Sequence, residues 1–79
     1  MWVLTHDGKN LINAGYFHVA RNMGGKPEEK FVIQAFSEAE PQNSGFICSL
    51  YAEEADAVAE LDMVLTAIEA GSLIYRFER

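Results

Sequence analysis

Residues 53–70 read EEADAVAELDMVLTAIEA. Val58, Leu61, Leu65 and Ile68 recur at spacings of three and four, and Ala57 and Val64 widen the stripe. That is the period of an amphipathic helix laid on a core. Glu53 and Glu54 fall in the first turn, where the helix dipole favours anions. Gly71 follows the last helical alanine, where a left-handed residue commonly ends a helix. The spacing predicts one long helix over residues 53–70, and everything else in the chain has to supply the surface it covers.

Upstream of this helix the chain reads as strands and turns. Trp2 to His6 is a short apolar run ended by Asp7-Gly8, a pair suited to a type I′ hairpin turn. Asn10 to Asn13 resumes an extended segment, and Ala14-Gly15 marks a bulge or corner. Tyr16 to Arg21 alternates, with Phe17 and Val19 on one face and Tyr16, His18 and Ala20 on the other. Residues 22–27 are rich in turn formers and form a connection. Lys30 to Phe36 is the strongest strand, β-branched and aromatic through Phe31-Val32-Ile33. Residues 37–44 are a loop, Gly45 to Tyr51 a strand, and Leu73 to Phe77 a closing strand after the helix. The expectation is a single α+β domain over residues 1–79. It consists of an antiparallel sheet of four to five strands with the helix packed on one face.

Several strands are apolar on both faces: Phe31, Ile33 and Ala35 alternate with Val32 and Phe36, and Phe46, Cys48 and Leu50 alternate with Ile47 and Tyr51. One helix covers one face only. The other face then curls into a half-barrel, pairs with a second copy, or docks a partner. Curling is the commonest outcome in small domains, so a monomer is favoured, with a homodimer as the next choice.

Charge is distributed unevenly. The chain has 79 residues, twelve acids and six bases, for a net charge of −6. Residues 1–30 carry Asp7, Glu28 and Glu29 against Lys9, Arg21, Lys26 and Lys30. From Phe31 to Tyr75 there is no Lys or Arg, while Glu38, Glu40, Glu53, Glu54, Asp56, Glu60, Asp62 and Glu69 all fall there. Such a field repels nucleic acid and anionic membrane and steers basic partners inward. A solvated helix face that keeps a small protein soluble is the competing reading. On a helical wheel Glu53, Asp56 and Glu60 share one sector opposite the Val58-Leu61-Leu65 stripe. Asp62 and Glu69 form a second line on the flank, and Glu54 lies nearer the core edge. A row of carboxylates so spaced imitates the phosphate line of a nucleic-acid strand, the partner that releases counterions from a Lys/Arg groove.

Chemistry-bearing motifs are missing. His6 and His18 are the two histidines and have no metal-ligand spacing to each other or to acids. Cys48, the one cysteine, lies mid-strand as a packing group. Gly24-Gly25-Lys26 is followed by Pro27 where a phosphate loop needs Ser or Thr, which makes it a turn. We therefore expect no enzymatic activity, no catalytic pair, no cofactor and no metal. A chain of this length buries about 60% of its unfolded surface and leaves little structure for a deep cleft. Met1-Trp2-Val3-Leu4 has no basic leader, and no apolar run approaches the ~20 residues that span a bilayer. These features set the expectation of a soluble, cytoplasmic protein.

The opening Met1-Trp2-Val3, the Asp7-Gly8 turn followed by Leu11-Ile12-Asn13, and Ala59-Glu60-Leu61-Asp62-Met63-Val64-Leu65 resemble a set of short uncharacterised bacterial and prophage proteins. Those begin Met-Trp-[Ile/Val], carry Leu-Ile-Asn after a turn and end in an acidic helix. The resemblance implies a sheet-plus-helix fold and a mobile-element origin. By type, size and acidity the chain is also similar to phage anti-CRISPR inhibitors, several of which imitate DNA. The functional expectation is a non-enzymatic acidic inhibitor that occupies the basic DNA groove of a nucleic-acid-binding host protein, such as a CRISPR effector. Glu53, Asp56, Glu60, Asp62 and Glu69, with Glu38 and Glu40, would touch the partner, and the chain would bind no nucleic acid itself. The alternative is a structural or adaptor module of a phage or prophage that binds through an apolar sheet face.

Overall fold

A computed structural model of the chain describes residues 1–37, 39 and 45–78. Five strands are present: β1 (Trp2–Leu4), β2 (Leu11–Arg21), β3 (Phe31–Ser37), β4 (Phe46–Tyr51) and β5 (Ile74–Arg76). The helix α1 spans Glu54–Glu69, and one turn of 3₁₀ helix, Pro27–Glu29, lies in the β2–β3 connection. The sheet order is β4-β3-β2-β1-β5. Neighbours are antiparallel except β5, which runs parallel to β1. The parallel pair is a departure from the wholly antiparallel sheet expected. α1 carries the chain from β4 at one edge of the sheet to β5 at the other, where β5 lies beside β1.

Strand β2 organises the molecule. Its first part pairs with β1 through Asn13, and from Ala14 onward it pairs with β3. The register shifts between Ala14 and Tyr16, so the expected bulge is present at Gly15. An extra residue reverses which parity faces inward. Ile12 and Ala14 are buried before it, and Phe17 and Val19 pack on the core after it. A bulge of this kind bends the strand that carries it. Beyond β1, the His6 N–H donates to the Cys48 carbonyl of β4 at 2.8 Å. That single bond does not close the sheet, which remains open with β4 and β5 as its edges. The expected closure is therefore not reached.

The turn after β1 is not type I′. Gly8 has φ +72° and Asp7 does not share the positive region. Instead the Thr5 hydroxyl donates to Asp7 Oδ1 at 2.7 Å, and the Lys9 N–H donates to the same oxygen at 3.0 Å. This is the side-chain-to-backbone bonding by which aspartate makes its own turn.

Helix α1 lies on one face of the sheet, against β2, β3 and β4. Ala57 and Val64 are fully buried and Leu61 packs on the core, whereas Val58, Leu65 and Ile68 are about half exposed. The helix is therefore rolled away from the stripe that its spacing predicts. Two contacts account for the roll. Ala57 has no side chain beyond Cβ and lets the helix approach closely, and Glu60 on the same side is held by tyrosines of both edge strands. At the far end, Gly71 N–H donates to Ile68 and Ser72 N–H to Ala67, each at 3.0 Å, with Gly71 at φ +79°. This paired termination is what the glycine allows.

Candidate functional site

Rolling α1 leaves a groove of about 1070 Å³ between the helix and the bend of β2. Met1 and residues 14–17 form one wall, and Val58, Leu61, Leu65 and Ile68 form the other. Glu54 and Asp62 stand among the lining residues, no described lining side chain is basic, and the Met1 ammonium donates to the Ala14 carbonyl at 3.4 Å. The apolar side chains are the ones a stripe-centred packing would have buried. Sequence spacing identified them correctly as one face and assigned that face to the wrong neighbour.

The acids are divided by the same roll. Glu53 caps the helix with an extended backbone, and Glu53, Glu54, Asp56, Asp62 and Glu69 are exposed. Glu60 is half-buried and accepts from Tyr51 on β4 at 3.2 Å and, by its other oxygen, from Tyr75 on β5. It is a structural tie between the two sheet edges. The expected Glu53-Asp56-Glu60 row opposite the core is therefore broken at Glu60. Glu54, expected nearer the core edge, lies on the groove. Glu38 and Glu40 lie outside the described residues. Burial first, and the Glu60 carboxylate second, push the Tyr75 hydroxyl well above the usual tyrosine range, which keeps it a donor.

The histidines and the cysteine have ordinary places. His18 is on the face of β2 away from α1, with Nε2 2.7 Å from Gln34 Oε1 and Nδ1 3.3 Å from the Tyr16 hydroxyl. Its ring meets those of Tyr16 and Phe36 at centroid distances of 5.7 and 5.4 Å. Among the described residues, Tyr16 and Ile47 are about half exposed. Cys48 is fully buried, and burial pushes its thiol up to about 12. A buried thiol raised in this way is disfavoured as a thiolate, the nucleophilic form. Among the described residues no cluster of His, Cys, Asp or Glu could hold a metal ion. No helix among them is long and apolar enough to cross a membrane.

No protein family, no curated protein and no solved structure matches this chain.

Proposed function

We propose that the chain is a non-enzymatic acidic binding protein that takes a basic protein partner in the groove between α1 and β2. The observation that carries this reading is the groove itself: half-exposed Val58, Leu65 and Ile68 face Met1 and the β2 bend, with Glu54 and Asp62 on the walls. Exposed aliphatic residues that share one concave lining mark an interaction surface more often than scattered ones do. The acids add orientation and steering toward a cationic partner.

A second reading keeps the inhibitor of a nucleic-acid-binding host protein, such as a CRISPR effector, acting as a DNA mimic. The exposure of Glu53, Asp56, Asp62 and Glu69 on one helix favours it. The two readings separate in one experiment, capture from host lysate at low and high salt with the parent, Leu65→Asn and Asp56→Gln/Glu69→Gln. The groove reading expects capture to fail with Leu65→Asn and to persist largely at high salt. Mimicry expects the reverse, because exposed charges are screened within ~8–10 Å near physiological ionic strength. It also expects DNA to displace the captured protein. Capture that salt abolishes, DNA displaces and Leu65→Asn leaves intact would remove the groove reading.

A further inference from the structure

Helix α1 presents an ordered line of side chains to the groove. Val58, Leu61, Leu65 and Ile68 follow one another at spacings of three, four and three, which is the a/d order of a seam between two helices. Leu61 packs partly on the core, while Val58, Leu65 and Ile68 are about half exposed. From Glu54 to Ile68 the helical wall of the groove extends about 21 Å along the axis. A row of that length suits a polymer segment better than a compact small molecule.

The acids run alongside this line. Asp62 follows Leu61 and Glu69 follows Ile68, and both acids are exposed. They stand one heptad apart on the same flank of the seam, about 10.5 Å along the axis. Nothing on α1 offsets them, because the helix has no Lys or Arg. Glu69 lies in the last turn, which carries no basic residue, and there the helix dipole favours a cation over an acid. The other flank, Ala57 and Val64, is buried in the molecule's own core. The seam is therefore apolar along its centre and acidic on its open flank.

We propose that the groove binds an amphipathic α-helix of another protein, about four turns long, apolar at i, i+3, i+4 and i+7 and carrying Lys or Arg on the flank that meets Asp62 and Glu69. The inference rests on the groove reading above and names the form of its ligand. Apolar and basic residues of the occupant both face α1, from adjoining sectors, as Leu61 and Asp62 do on α1 itself. A helix provides that arrangement, whereas a strand turns successive residues to opposite sides. Side chains so spaced pack against a second helix at an axis separation of about 8–10 Å, and helix-in-groove complexes use the same anchors. A second copy is a poor occupant. Its α1 brings Asp62 and Glu69 to an acidic seam, and its other flank is buried.

The probe is a synthetic peptide of about four helical turns, with Leu on the seam, Lys on the flanks and Ala elsewhere, titrated into methyl-labelled protein. Three comparison peptides accompany it: one with central alanines replaced by proline, one permuted so that leucine alternates with lysine, and the glutamate counterpart. The expected result is saturable binding that shifts the Val58, Leu65 and Ile68 methyls and raises the helical circular dichroism. Proline in the peptide, or Leu65→Asn in the protein, should each weaken binding by about tenfold or more, and the glutamate peptide should not bind. Asp62→Lys/Glu69→Lys, both at exposed positions, should exchange the preference between the lysine and glutamate peptides. If the proline or the alternating peptide shifts Leu65 as strongly as the parent peptide, helical docking is overturned and the groove reading stands. Binding that salt abolishes and Leu65→Asn leaves intact is contact by charge alone, and both fall. If no peptide shifts these methyls, helical docking is overturned; lysate capture that fails with Leu65→Asn then keeps the groove reading, and capture indifferent to that substitution removes it.

Discussion

Glu60 shows how one side chain can change its meaning between sequence and structure. On a helical wheel it belongs with Glu53 and Asp56, and its two hydrogen bonds to Tyr51 and Tyr75 place it inside. Hydrogen bonds to a charged acceptor contribute more than neutral ones, and Glu60 receives two from strands at opposite edges of the sheet. Glu60→Ala is expected to lower stability by about 2–3 kcal/mol in urea unfolding. A double-mutant cycle with Tyr75→Phe should give a coupling of about 1 kcal/mol. An alanine variant as stable as the parent would show that the tie does not matter. Asp7 gives a residue-scale pH prediction. The Thr5 hydroxyl, then the Lys9 N–H, hold its carboxyl below the usual value. A carboxyl depressed on folding stabilises above its unfolded pKa, and that contribution disappears as pH falls through the folded one. The parent should therefore lose stability below the ordinary carboxylate range, and Asp7→Asn should flatten that part of the acid limb. Identical acid limbs for parent and variant would refute the assignment.

At the scale of elements, α1 was legible in existence and nearly in its bounds, because the 3.6-residue period and the Gly71 stop are local signals. Its roll was not, because two partners far away in sequence decide it. The hydrophobic period centres on Val58, Leu61 and Leu65, whereas close approach selects Ala57 and the tyrosines select Glu60. No windowed reading of residues 53–70 contains Tyr51 or Tyr75. The strands were legible for the same local reason, since Phe31-Val32-Ile33 is extended whatever it pairs with, and Gly15 announced the bulge. The pairing of β5 with β1 depends on strand order and stayed hidden. The roll has a direct consequence. Val64→Ala, at a fully buried position, should cost about 2 kcal/mol, while Leu65→Ala, half exposed, should cost under about 1 kcal/mol. A centred stripe would make Leu65 the more damaging of the two, so the order of the two urea midpoints decides the roll.

The whole molecule combines an excess of acid with an unusual amount of apolar surface left in water. Trp2, Leu11, Val58, Leu65, Ile68, Leu73 and Ile74 are all exposed by roughly half or more, and β5 presents a short open edge. Either feature would promote association if the chain were neutral. The net charge of −6 opposes it, because every copy brings the same sign to the same surfaces. Acidity on this view has a role whether or not α1 meets a partner: it keeps an apolar groove available instead of self-occupied. The balance is testable without knowing any partner. Sedimentation at neutral pH and moderate salt should give a monomer over a wide concentration range. Near the isoelectric point, about pH 4.7, repulsion vanishes and self-association should set in reversibly. Leu65→Asn should diminish that association, since the groove supplies part of the surface, while Glu54→Gln/Asp62→Gln should bring its onset closer to neutrality. A protein equally monomeric at both pH values would mean that the exposed aliphatic residues are too dispersed to act as one surface. The same result would weaken every argument that treats the groove as a place where another chain can bind.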